Sequence, residues 1–314
     1  MKKIVIIFIA IIFLAAVFKD FLIQGAICKV GSSVLGAPVE IGSFGWNFFT
    51  QKIHIRSLRV FNPPGFPNQP LVDISAIDVD YDLSSLIKGH YHFPYIYVDL
   101  KEMVIVKNAD GQLNVDALKV SQKPAGQNSP PSSKDMRPLS IDLMKLSLGR
   151  TVYMDYTHSS QPLVKVFDVG FKDKTFKNIK SVQQLSVLIL TQGMGPAAIK
   201  TAAIYGVATI LGASFLPVGM VAVLLCKDST EQEYVIDFDH VYDTALKILQ
   251  EAHSFVSEDR SRGLIKGNID GGNLTVQIIQ NKDRVHVIAS CRKMMMPRHE
   301  IAAGFIYQLS SRLK

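Results

Sequence analysis

Residues 35–66 read LGAPVEIGSFGWNFFTQKIHIRSLRVFNPPGF, residues 72–87 VDISAIDVDYDLSSLI, and residues 95–118 YIYVDLKEMVIVKNADGQLNVDAL. Most of this stretch alternates apolar and polar side chains, the period of a β-strand with one apolar face. Strands are predicted over Val39–Gly42, Lys52–Phe61 and Leu71–Asp82, followed by a short helical turn and two further strands up to Lys107. In the second strand Ile53, Ile55, Leu58 and Val60 change phase between Ile55 and Leu58, which predicts a bulge near Arg56–Ser57. Asn62 to Pro67 form a loop, because proline cannot extend a ladder and Gly65 is free to take a positive φ.

Strict alternation in ISAIDVDYDL turns Ile74, Ala76, Asp78, Asp80 and Asp82 one way, and Ser75, Ile77, Val79, Tyr81 and Leu83 the other. One face is acidic and wet, the other apolar. Calcium requires oxygens wrapped around the ion by a turn with glycine at the bend. Carboxylates lined along a straight strand are solubilising groups instead, so no metal ligand is assigned. The apolar side chains Ile53, Ile55, Leu58, Val60, Ile77, Val79, Val104 and Val106 are the candidates to line a groove that shields acyl chains.

Upstream, MKK precedes the apolar run Ile4–Phe18. That run is shorter than the roughly 20 residues of a membrane span, and FLIQGAI makes up the length. Ala15–Ala16 are followed by Val, Phe and Lys, a poor cleavage site, so the expectation is an uncleaved anchor over residues 1–23 with the rest of the chain exported. An amphipathic helical pattern runs from Phe21 to Leu35 and stops at Gly36 and Pro38.

Downstream, residues 121–138 are rich in Ser, Pro, Gly, Gln and Lys and form a flexible linker. Strands resume in 139–149, 151–157 and 163–172. Residues 201–226 carry no charge and suit either a second span or two short helices bent at Ser214–Pro217 that cap the apolar sheet. From residue 232 a strand, a helix after Asp239, three strands and a last helix from about Arg298 to Arg312 give the order β-α-β-β-β-α. Tight turns are expected at Asp270-Gly271-Gly272 and Asn281-Lys282-Asp283. The last helix carries Ile301, Phe305, Ile306 and Leu309.

The formal charge of +7 is spread thinly, without a basic block or a nucleic-acid motif, which argues against nucleic acid. Cys28, Cys226 and Cys291 are too scattered for a disulfide framework or a zinc site. No phosphate loop, GxSxG, HExxH or CxxC occurs, and the histidines are dispersed. The sequence therefore predicts no enzyme, no catalytic residue and no cofactor.

An N-terminal anchor followed by LGAPVEIGS, RSLRVFNPPGF, ISAIDVDYDLSSLI and IYVDLKEMVIVKNADGQLNVDAL resembles the start of the AsmA-like proteins of Gram-negative bacteria, related to the TamB-type group, over roughly residues 1–190. The C-terminal part is similar to a small uncharacterised domain of bacterial lipoproteins. The resemblance implies a periplasmic protein anchored in the inner membrane, a curled β-taco sheet, phospholipid or another acyl lipid as ligand, and membrane and envelope proteins as partners in outer-membrane biogenesis. Seven or eight strands would make a groove on the order of 35–40 Å long, enough to handle lipid near one membrane.

The expected fold is thus a transmembrane helix (1–23), a mainly β, curled antiparallel region (24–190), an apolar hairpin or second span (191–227) and a small α+β domain (228–314). The expected function is lipid handling. The alternative is a scaffold whose apolar sheet face is buried by residues 193–226.

Overall fold

A computed structural model describes residues 20–121, 139–197, 229–252, 254–294 and 296–314. The expected anchor up to residue 19, the linker from 122 to 138 and the apolar run at 201–226 lie outside the described residues. Two compact units are present. One takes the described residues up to Met103 with those in 114–149 and 170–197, and the other takes Val104–Leu113, Arg150–Val169 and those from 229 onward.

The first sheet has strands β1 (Val39–Asn47), β2 (Lys52–Phe61), β3 (Pro70–Asp80), β4 (Tyr91–Lys107), β5 (Leu139–Asp155) and β6 (Leu163–Ile179), hydrogen-bonded in that order. In the first unit the apolar side chains stand in rows across β1 to β4. The rows are Trp46, Ile53, Val79 and Ile96; Phe44, Ile55, Ile77 and Val98; Ile41, Leu58, Ile74 and Leu100; and Val39, Val60, Val72 and Met103. Between the second and third rows β1, β2 and β3 slip phase at the same level, while β4 does not. Ser57 takes a left-handed backbone there, with φ 54°. The slip therefore passes from β1 to β3 in register, and irregularities between Asp73 and Ala76 absorb it against β4. It also explains why Ile74 joins the apolar rows, where strict alternation had put it among the aspartates.

An apolar sheet face needs a second layer. Helix α1, described over 20–35, supplies it, setting Ile23, Ile27 and Cys28 against the cluster of Ile41, Phe44 and Ile55. Its Gln24 side chain donates to the Ile41 carbonyl (2.6 Å), and its Ser32 hydroxyl accepts from the Val39 amide (2.9 Å). Helix α3 (Val182–Met194), capped at Ser181, brings Gly193 onto Met103, the end of the fourth row. Between them in sequence lies the short helix α2 (Leu83–Ile87), whose first turn is capped by Asp82.

The opposite face is an ion ladder. Lys52 meets Asp80 (3.4 Å), His54 and Arg56 meet Asp78 (2.7 and 2.8 Å), and Lys101 meets Asp73 (3.6 Å). Burial pushes the Asp78 carboxyl up, but the hydrogen bonds from His54 and Arg56 outweigh it and hold its pKa below the ordinary value.

These observations correct the expected fold. Strand takes 49% and helix 28% of the described residues, in a mixed α/β structure with two sheets. The first sheet is not an antiparallel meander. His92 lies 2.9 Å from Asp142, and Lys101 lies beside Gly149, so β5 runs parallel to β4. Parallel neighbours need a crossover, and its described part is anchored where the Asn114 amide donates to Asn62 (2.7 Å) and Lys119 to the Ser33 carbonyl (3.1 Å). No helix among the described residues is long and apolar enough to cross a membrane. This conflicts with the expected transmembrane helix and with a single-pass location in the inner membrane, and neither is carried forward. The physical reason is visible in α1, whose Ile23 and Ile27 are spent on the sheet.

The second unit holds strands β7 (Ser229–Tyr234), β8 (Ser257–Asp259), β9 (Leu264–Ile269), β10 (Gly272–Asn281), β11 (Arg284–Lys293) and β12 (Met296–Pro297). Both β7 and β12 pair with β11, which is followed by β10, β9 and β8. Helices α4 (Phe238–Glu251) and α5 (His299–Arg312) bury Tyr242, Leu249, Ile301 and Phe305 in one core with Ile265, Val276 and Val287 of the sheet. The turn into β10 uses Asp270 and Gly271 at φ 53° and 70°.

Two outcomes follow for the first unit. A Cβ on Gly42 would stand 2.9 Å from the Ser57 Cβ, so Gly42→Val should cost about 1–3 kcal/mol in urea unfolding by overpacking. Ser57→Gly, which removes that neighbour and suits the left-handed backbone, should recover part of the loss in the double variant. The second outcome concerns His92, which sits 2.9 Å from Asp142 and 3.5 Å from Asp82. The hydrogen bond to Asp142 raises its pKa above 6.5, against partial burial and with help from Asp82. Stability from a raised pKa is complete below the unfolded value and is lost as pH rises through the folded one. His92→Gln should therefore lower the thermal midpoint at about pH 5.5 and leave it nearly unchanged at about pH 8.5. An equal drop at both would refute the assignment.

Candidate functional site

The structure brings six of the eight groove candidates onto one face, with Ile55, Val60 and Val79 buried and Ile53, Leu58 and Ile77 partly so. That face is not an open groove. Ile53, Leu58 and Ile77 pack in the same cluster as Ile23, Ile27 and Cys28 of α1. Val104 and Val106 are fully enclosed, and they belong to the part of β4 assigned to the second unit. The aspartate row that invited a metal reading is occupied by the cations of β2 and by Lys101.

A concave site lies instead wholly within the second unit, a cavity of about 400 Å³. Four pieces of chain bound it: the β5–β6 connection with the flanking strand ends, from Asp155 to Lys165, the end of α4 at Ile248 and Ala252, the β9–β10 turn at Asn268–Asp270, and α5. The connection is seated on α5 at Gly304, where any side chain would overlap the Val164 carbonyl. On one side Lys165 pairs with Asp270 (2.8 Å). On the other Gln308 donates to the Pro162 carbonyl (2.9 Å) and Arg312 to the Gln161 side chain (3.0 Å). The Arg150 guanidinium also stacks over the Tyr307 ring, 5.3 Å from its centroid.

The cavity floor is apolar, made by Ile248, Ile301, Phe305, Leu163 and Val164. Its polar groups gather at the rim, and their charges are compensated pairwise. Arg312 lies 2.6 Å from Glu251, an ion pair bent away from hydrogen-bond geometry. Asp155 accepts from the Thr157 amide and hydroxyl (2.9 and 2.5 Å) and from the Tyr153 hydroxyl (3.0 Å). Burial raises the Asp155 carboxyl, yet these bonds and Lys107 hold its pKa below the ordinary value. Burial likewise pushes Asp270 up, and Lys165, with Lys293 and Arg298, more than reverses it. The site thus sets a dry apolar floor beneath a polar rim, which also carries Ser159 and His158, the latter 2.8 Å from the Thr157 hydroxyl.

No family model and no curated protein matches the chain. The functional reading rests on the geometry.

None of the cavity residues was among the groove candidates. Ile301 and Phe305 were visible in the sequence only as the apolar stripe of the last helix. The missing signal is that the same face continues through Gln308 to Arg312, so that it passes from apolar to polar along α5. Periodicity finds such a face but does not distinguish a filled core from a hollow. Gly304 tests the seating: Gly304→Val should separate the β5–β6 connection from α5 and cost about 1–3 kcal/mol or more in urea unfolding. A variant as stable as the parent would show that the close approach is dispensable.

Proposed function

We propose that this protein is a non-enzymatic binding protein for an acyl lipid, held in the cavity of the second unit rather than in the first sheet. The observation that carries this reading is the apolar floor of Ile248, Ile301 and Phe305 beneath a rim of compensated charges, in a volume of about 400 Å³. Ligand pockets for small molecules are typically about 300–1,000 Å³ with few polar groups that fix orientation. Because Lys165 and Arg312 are each opposed by a carboxylate, the rim offers no net charge. It therefore suits a lipid whose headgroup carries no net charge, with one acyl chain on the floor.

The alternative of a scaffold has its own support, since the apolar face of the first sheet is covered by protein. The covering layer is α1 and α3, while most of 193–226 lies outside the described residues.

Native mass spectrometry of the full chain, purified in mild detergent, separates the two readings. The expected result is a retained acyl lipid, lost in Ala252→Trp, which fills the cavity from the exposed end of α4. A lipid-free parent, or equal lipid in both proteins, would remove the cavity as the site and favour the scaffold.

A further inference from the structure

In the first unit the exposed large apolar side chains are unevenly distributed. The β1–β2 connection carries Phe48 and Phe49, 51% and 93% exposed. Turn tips in water are built from Gly, Asn, Asp, Pro and Ser, so two adjacent phenylalanines there are a departure that needs a reason. The tip is ordered. Asn47 Oδ1 accepts from the amides of Phe49 and Thr50, both at 3.0 Å. Its rings stack edge to face at 6.0 Å, and Phe48 meets Trp46 at 6.3 Å.

Other elements bring apolar side chains to the same end of the sheet. The β3–β4 connection is tied to the tip where the Tyr81 amide donates to the Gln51 carbonyl and the Leu83 amide to the Gln51 side chain, both at 3.0 Å. It presents Ile87 on α2, 80% exposed. Helix α1 runs opposite to β1, as its bonds between Gln24 and Ile41 and between Ser32 and Val39 require, so its described part begins at this end. Phe21 and Leu22 stand exposed in the first described turn, and the apolar stretch Ile4–Phe18 precedes it in sequence. The end of β6 leads here too, to the exposed Val182 of α3. The charges of Asp80, Asp82 and Asp142 at this end are engaged by Lys52 and His92, while Lys88 and Lys180 stand exposed.

We infer that this end of the first sheet seats on a phospholipid surface, with Phe48 and Phe49 inserted at the boundary of headgroups and acyl chains and the lysines beside anionic headgroups. Aromatic rings with lysines around them suit that interface, where one end of the contact is apolar and the other wet. The contact is a projecting tip, which enters a fluid lipid layer without needing a complementary pocket. A protein partner would have to supply that pocket. This inference is independent of the cavity, which lies in the other unit.

Trp46 is the only tryptophan of the chain and lies against Phe48, so its fluorescence reports the tip directly. The full chain is mixed with phosphatidylcholine vesicles, with and without phosphatidylglycerol, that carry bromine on the acyl chains near the headgroup. Trp46 should be quenched, more strongly with phosphatidylglycerol. Phe48→Ser/Phe49→Ser should reduce the quenching by about two-fold or more, at unchanged far-ultraviolet circular dichroism and unchanged lipid retention in the cavity assay. Lys88→Glu/Lys180→Glu should abolish the preference for phosphatidylglycerol. Unquenched Trp46 in vesicle-bound protein, which is what a tip docked to a protein would give, overturns the inference. So does equal quenching in the serine variant, or a chain that does not bind vesicles.

Discussion

The first unit depends on covering one apolar sheet face. Four rows of side chains, from Trp46–Ile96 to Val39–Met103, present a continuous hydrocarbon surface that water penalises in proportion to its area. The cover must follow a sheet whose strands slip phase together at Gly42, Ser57 and Ser75. Helix α1 does this with Ile23 and Ile27, one helical turn apart, and α3 reaches the last row because Gly193 lets its backbone approach Met103. The polar face is arranged by the same rows, since each cation of β2 finds an aspartate across the ladder. Such exposed pairs add little stability individually. They specify register, because a one-residue slip would put lysine opposite an apolar residue.

In the second unit an equivalent layer is present but incompletely filled. Helices α4 and α5 bury one face of their sheet fully. The β5–β6 connection touches α5 closely at Gly304 and stands off around Ile301 and Phe305. Close approach at one point and separation at the next make a hollow, and the ion pairs at its edges hold the walls apart without leaving net charge. The lipid reading thus moves from the place where strand alternation suggested it to a place that requires two distant segments of the chain.

Local residues made much of the secondary structure legible. Lys52–Phe61 is a strand with the expected limits, the phase slip at Arg56–Ser57 is present as a left-handed Ser57, and the proline loop after Asn62 ends β2. Each is decided by side chains and backbone preferences within a few residues. At Arg56–Ser57 the expected bulge is instead a shared phase slip: no extra residue sits on one strand there, because β1 and β3 slip with β2.

What the sequence by itself determined is therefore the set of short-range choices: period two across β1 to β4, the turn at Asp270–Gly271, and the amphipathic stripe of the last helix. Only the tertiary structure decided that β5 lies parallel to β4, that α1 packs on the sheet, and that Ile301 and Phe305 face a hollow. The reason is physical. Apolar periodicity states that a face must leave water, and it is silent about what covers it. Lipid, a helix just upstream of β1 or a hairpin from across the chain satisfies the same hydrophobic demand, and the choice among them is made by shape and chain connectivity.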